Sequence, residues 1–374
     1  MLFIGALTHN SKFDVKVKNF VKIFAINLIL LGCTEKNGNP NEKSFTLDSF
    51  PVQKNLESKK YNFEEILTAT LIAIKNDKLI ISENYRGGSG PDRKLIHIIQ
   101  KDSMRYLYPK GKQGYGPGEI ISIRSFDQGW NDSTFWAYDL NEKNFHEYSL
   151  EDTLTTSIQT FKQSEQSFFA ISWSWLTPDT FVGRMMNDSH AFAIYDTANV
   201  LQRKLDPWFE DKEVDEYQGY ILGDIKQGQT AYNKDRKLLV HAQINSDIVE
   251  IIPVDSPSEK ITISGPISEP LKYEIKGSGR NIGADIFMEN TLAYNNVFLG
   301  KESIFLVYLG YTRAESINRE SKLSNEIFEL DYQGNPIAYY QLDRQIYSIA
   351  VDEEERKIYA VTYDEDPGVA VFEY

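Results

Sequence analysis

An all-β chain folded as a six-bladed β-propeller is what this sequence predicts, on three observations. Aromatic residues are abundant, with 22 Tyr and 21 Phe among 374 residues, and aromatics suit the half-buried surface of a sheet. A strand, polar turn, strand unit recurs at a spacing of roughly 40–60 residues, the period of a propeller blade. Each copy follows another strand pair, so a unit holds four strands and the chain holds six units. That is the arithmetic of a ring of four-stranded blades.

The chain starts with a segment of a different kind. Lys16, Lys18 and Lys22 form a basic stretch, and Val21–Leu31 is a short apolar run closed by Leu30-Leu31-Gly32-Cys33. A charged, then apolar, then small-residue pattern reads as a secretory signal over residues 1–32, and the run is too short to span a bilayer. Leu-Leu-Gly-Cys resembles a bacterial lipobox, which implies that Cys33 carries lipid and becomes the mature N-terminus. Thr34 in place of Asp then implies the outer membrane, with acyl chains as the anchor. The alternative for Cys33, the only cysteine, is a buried thiol. Met1–Asp14 is longer than such a leader needs, which a misassigned start codon would explain. Residues 33–60 are polar and read as a tether, with Ser44–Phe50 or a neighbour as the strand that completes the last blade. The propeller is expected over 61–374.

The blades follow in order. Glu64–Thr70 could open a helix, but Leu71–Ile74 and Lys78–Ile81 pair as strands around Asn76-Asp77. The recurring unit is Leu95–Ile99 with Met104–Tyr108, then Phe135–Tyr138 with Phe145–Tyr148. Phe192–Tyr195 with Val200–Leu205, Ile248–Val254 with Lys260–Ser264, and Ile327–Leu330 with Ile337–Leu342 continue it. Val369–Tyr374 begins a sixth copy and stops. A ring with one blade unfinished invites an N-terminal strand, which removes an exposed edge. Two β-sandwich domains are the rival, but no linker divides the chain.

Between the first and second units lies Gly111-Lys-Gln-Gly114-Tyr-Gly116-Pro117-Gly118-Glu119-Ile120. A phosphate loop would need Lys-Ser or Lys-Thr after its last glycine and a helix start. Here Glu119 follows, and a β-like run comes next. The stretch reads as a structural crossing between blades. Its pattern resembles the corresponding loop of the six-bladed β-propeller lipoproteins of Bacteroidota, called TolB-like in some family names. The resemblance rests on the signal, this motif and the blade count, and it implies a propeller in the cell envelope with no generally assigned activity. TolB itself has an α/β domain and Ser-Pro-Asp-Gly repeats, neither of which is present, so no role in the Tol system is implied.

Composition narrows the partners. A net charge of −14 argues against nucleic acid and against adsorption to anionic lipid. His97, His146, His190 and His241 show no metal-binding spacing, and no Gly-x-Ser-x-Gly or Ser-x-x-Lys is present. No catalytic residue and no metal ligand is assigned, and no cofactor is expected. Ca²⁺ is kept as the one cofactor a channel could take, through Glu65, Asn131, Asp132, Asn187, Asp188, Asn245, Asp247 or Asn296, most of which read rather as ordinary turn residues. Trp173 and Trp175 lie on one strand face and suit packing between blades more than sugar stacking. The long loops Lys276–Gly283 and Thr312–Ser324 would shape a binding face. The expectation is a lipid-anchored envelope binding module for a protein, peptide or glycan. The alternative is a propeller hydrolase or lactonase with a channel Ca²⁺.

Overall fold

The computed structural model describes residues 39–83, 93–208, 216–278, 282–318, 323–362, 364 and 366–374. The signal segment and Cys33 lie outside them. Lys43–Tyr374 is one compact unit.

Middle strands buried on both faces and flanked by more exposed outer strands build six four-stranded blades. Blades 5 and 6 share one continuous sheet, and Glu42–Ser44 adds a fifth strand to blade 4. Blade 1 is Ala69–Lys75, Lys78–Glu83, Lys94–Gln100 and Arg105–Lys112. Blade 2 is Ser125–Asp127, Thr134–Asp139, Asn144–Ser149 and Gln159–Lys162, and blade 3 is Ala170–Thr177, Thr180–Met185, His190–Asp196 and Leu201–Pro207. Blade 4 is Gly228–Asn233, Leu238–Gln243, Ile248–Pro253 and Ile261–Ser264. Blade 5 takes Thr291–Leu299, Ser303–Thr312, Ser324–Asp331 and the first half of the long strand Pro336–Asp352. That strand's second half opens blade 6, followed by Lys357–Thr362 and Val369–Glu373. Successive inner strands neighbour one another, and blade 6 abuts the first strand of blade 1. Between blades the core is apolar, as where Ile80, Ile96 and Ile98 of blade 1 meet Phe135 and Tyr148 of blade 2.

The fourth strand of blade 6 comes from the N-terminal region: Ser58–Tyr61 pairs antiparallel with Val369–Glu373, Tyr61 opposite Val369 and Ser58 opposite Phe372. The segment predicted for this place, Ser44–Phe50, lies elsewhere. Phe45 N–H donates to Ser264 O at the outer edge of blade 4, and Leu47–Ser49 is a 3₁₀ turn. Val52–Leu56 then runs parallel to Ala338–Leu342 on the outside of blade 5. The segment predicted as tether is therefore folded from Lys43 onward, because Phe45, Phe50 and Leu56 are buried anchors among its polar residues.

Two further expectations change. Phe135–Tyr138 and Phe145–Tyr148 are strands two and three of their blade, not three and four, since blade 2 has short outer and inner strands. Residues 64–68 form turns, not a helix start. Helical segments do occur at Glu216–Ile225 and Arg313–Asn318, and Tyr273–Lys276 with Gly283–Ile286 makes a hairpin beyond blade 4.

Candidate functional site

In a four-stranded antiparallel blade, the turns joining strands one and two share one face of the ring. On this face a cavity of about 570 Å³ opens among the turns of blades 1, 2, 4, 5 and 6. Beneath it a second cavity, of about 500 Å³, is walled by inner-strand residues of all six blades. The two share Ile74, Gln128, Lys234, Lys301, Val351 and Glu353, so they form one funnel.

The rim is held by side chains of one blade bonded to the backbone of the next. Lys75, 6% exposed at the end of the first inner strand, donates to the carbonyls of Gln128 and Asn131 in blade 2. Asn76 donates to Asp132 O at 2.9 Å and Gln128 to Ile74 O at 3.1 Å. Asp127 accepts from Gly129 N–H at 2.7 Å and reaches blade 3 by accepting from Trp175 N–H at 3.2 Å. From blade 4, Asn233 donates to Gly300 O and Arg236 to Lys301 O and the Glu302 carboxylate. Glu353 of blade 6 accepts the N–H groups of Lys301, Glu302 and Ser303. Lys101 of blade 1 ties that blade to blade 6 through Asp352 and Glu355. These bonds satisfy turn backbone that a solvent-filled funnel would leave loosely held, so the mouth is preorganised.

Its electrostatics are uneven. Burial, then the Lys234 charge, lowers the Lys75 pKa against the pull of Asp132 and Asp127. Burial raises the Asp127 pKa, although the Gly129 and Trp175 amides and both lysines oppose it. The Lys234 ammonium stands 5.5 Å from the centre of the Trp130 ring, a cation–π contact. A perturbed amine and a perturbed carboxyl along one funnel make it the candidate site.

The glycine-rich loop singled out from the sequence lies elsewhere, whereas Asp132 lines the mouth and Trp173, Trp175 and Asn296 line the lower cavity. Gly111–Ile120 runs from the outer strand of blade 1 to the inner strand of blade 2, away from the funnel walls. The Glu119 carboxylate accepts from Gly116 N–H at 2.8 Å and pairs with Lys112 at 2.6 Å. It thus fills the nest an anion would need, and those two contacts lower its pKa. Gly114 and Gly116 leave room for it, since a Cβ on either would meet its atoms at 2.1 and 2.9 Å. Gly118, at φ +73°, bonds through its carbonyl to Ser157 N–H. Pro117 lies between these two glycines at the tip of the loop.

The Ca²⁺ candidates do not converge. Asn131 and Asp132 sit at the mouth, whereas Asn187, Asp188, Asn245 and Asp247 occupy turns between second and third strands, on the opposite face. Asp188 pairs with Lys204 at 2.7 Å, Asp247 caps Ile267 and Ser268 N–H, and Asn296 accepts from Ile349 N–H. Glu65 is exposed in the turn before blade 1. Among the described residues no three His, Cys, Asp or Glu side chains are grouped to hold a metal ion. Trp173 and Trp175 are buried against Phe145 and Phe181. Lys75, Asp127, Lys234 and Lys301 escaped sequence reasoning, because they come from four blades and only the ring brings them together.

Fold and funnel define a six-bladed propeller with an open central channel. The chain belongs to the TolB-like 6-blade propeller-like family, whose model matches residues 50–354. It is similar in fold to a duf4221-family protein of Bacteroides vulgatus, with 13% identity, TM-score 0.53, and coverage of 86% of this chain and 97% of that one. A Bacteroides fragilis protein described as exported is similar at 12% identity and TM-score 0.51, covering 88% and 98%. No functionally curated protein matches the chain significantly.

Proposed function

We propose that this protein is a lipid-anchored binding module of the bacterial cell envelope, anchored through Cys33 at the outer membrane, with the funnel mouth as its binding surface. The observation that carries the reading is the funnel itself: a solvent-open cavity of about 500 Å³ lined by every blade, with a rim tied rigidly between neighbours. Pockets of that size suit small ligands or one side chain of a partner. The lipobox-like Leu30–Cys33 supports the anchor, and the exported Bacteroides fragilis relative supports the compartment.

Two experiments test this. Ala73 lines the funnel, and Ala73→Trp fills it. A panel of small organic anions, cations and neutral sugars is screened by thermal shift against wild type and this variant. At least one class is expected to raise the wild-type melting point and leave the variant's unmoved; a panel that shifts both alike removes the funnel from the proposal. For the anchor, Cys33→Ser is expected to move the protein from the membrane fraction to the soluble one. Unchanged fractionation defeats the lipoprotein reading.

A further inference from the structure

We infer that the funnel takes a small organic anion with an apolar body, its charged head seated among Lys75, Lys234 and Lys301 and its body lying along Ile74, Val297 and Phe298 below. This deepens the binding-module reading and rests on it.

The charge distribution of the mouth is the first ground. Its carboxylates are committed: Glu353 to three backbone N–H groups, Asp352 to Lys101, and Glu302 to Arg236 at 2.7 Å. Asp127 spends its oxygens on the amides of Gly129 and Trp175. Asp132, Asp235 and Glu354 remain as exposed acids of the funnel. The cations are not similarly committed. Among the described residues no carboxylate stands at ion-pair distance from the ammonium of Lys75, Lys234 or Lys301, although all three line one cavity. On a chain of net charge −14, three unpaired ammonium groups around one opening run against the protein's own balance.

Lys75 is the second ground. An ammonium has three N–H donors, and the carbonyls of Gln128 and Asn131 take two. Two neutral carbonyls offset only part of the desolvation cost of a buried cation, and a bound anion would offset more. The crowding of Lys75 by Lys234, which lowers its proton affinity, is relieved by the same anion. The third ground is the wall beneath, where Ile74, Val297 and Phe298 line the lower cavity. They offer a bound apolar body a surface on which to leave water.

The test uses two probes with the same rings. 1-Anilinonaphthalene-8-sulfonate carries an anionic head, and N-phenyl-1-naphthylamine lacks it. Both are titrated by fluorescence into wild type, Ala73→Trp, the double variant Lys234→Gln/Lys301→Gln, and Lys54→Gln as a distant surface control. The sulfonate is expected to bind at one site, at least about tenfold tighter than the neutral probe. It should be lost in Ala73→Trp, weakened at least about tenfold in the double variant, and unaffected by Lys54→Gln. Its affinity should fall as salt shortens the Debye length from about 10 Å toward about 3 Å. The double variant should melt close to wild type, because neither ammonium has an ion-pair partner to lose and Lys234 gives up only a cation–π contact with the exposed Trp130 ring. Equal binding of both probes, or a sulfonate affinity untouched by the double variant, overturns the anion seat and leaves the funnel as a binding site. If neither probe binds wild type, both readings fall.

Discussion

His241 is buried between blades 3 and 4 and is held as a neutral ring. Its Nε2–H donates to Lys226 O at 2.9 Å, and its Nδ1 accepts from the Thr230 hydroxyl at 2.9 Å. Burial, then the nearby Arg184 guanidinium, lowers its pKa to about 4. An unfolded histidine titrates near about 6.5. Between those values the unfolded chain binds the proton and the folded one does not. Stability from this group is therefore complete above about 6.5 and lost as pH falls toward about 4, by on the order of 3 kcal/mol. Glu250 acts in a separate window. Burial would raise its pKa, but Lys260 at 3.1 Å, with His241 and Lys226, holds it at about 2. Its contribution is lost only as pH falls below about 4.5. Urea midpoints from pH 7.5 down to 4 should fall for wild type. His241→Gln should start lower by about 1–2 kcal/mol, from an imperfectly replaced hydrogen bond, and show a flatter pH profile. A variant profile parallel to wild type would assign the acid sensitivity to another group, with His146 and His190, both lowered by burial, next in order.

Elements between blades are set by single residues that strand patterns do not reveal. Gly118 sits at φ +73°, and a Cβ there would lie 3.0 Å from Ser157 O, a backbone atom that cannot swing aside. Gly118→Ala is expected to cost about 1–3 kcal/mol, read as a lower urea midpoint with ligand affinity per folded molecule unchanged. A loss of affinity at wild-type stability would make the loop part of a binding site. The blades themselves were legible in the sequence, because alternating apolar residues and polar turns repeat wherever both faces of a strand are packed. Legibility failed where that packing is thin. Blade 2 has an inner strand of three residues, Ser125–Asp127, and a mostly exposed outer strand, Gln159–Lys162, so in the sequence its middle pair reads as its outer pair. Ser58-Lys-Lys-Tyr61 reads as loop because an outer strand needs little apolar surface. The funnel was illegible for a different reason: Lys75, Asp127, Lys234 and Lys301 carry no shared spacing, and each alone is an ordinary turn or strand-end residue.

At the scale of the whole propeller, the N-terminal segment joins blades 4, 5 and 6 together. Between Lys43 and Tyr61 the chain visits the outer edges of blades 4, 5 and 6 in turn. Phe45 and Phe50 pack on Phe328 at ring separations of 5.6 and 5.2 Å, and Leu56 enters the core shared by blades 5 and 6. Asp343 fastens the last turn by accepting from Ser58 N–H and its hydroxyl. Burial of three such side chains is worth on the order of 6 kcal/mol, against a total stability of about 5–15 kcal/mol for a folded domain. Removing the segment also bares the edge of Val369–Glu373, an open template for association. A chain beginning at Asn62 is therefore expected to elute as aggregate in size-exclusion chromatography, whereas one beginning at Lys43 should be monomeric and unfold in urea in a single transition. A synthetic peptide of residues 43–61, added during refolding of the short chain, should restore the monomer by supplying the missing edge in trans. A short chain that stays monomeric with the urea midpoint of the longer one would show that blades 4 to 6 hold without the strand, and that the N-terminal segment only rests on a ring already complete.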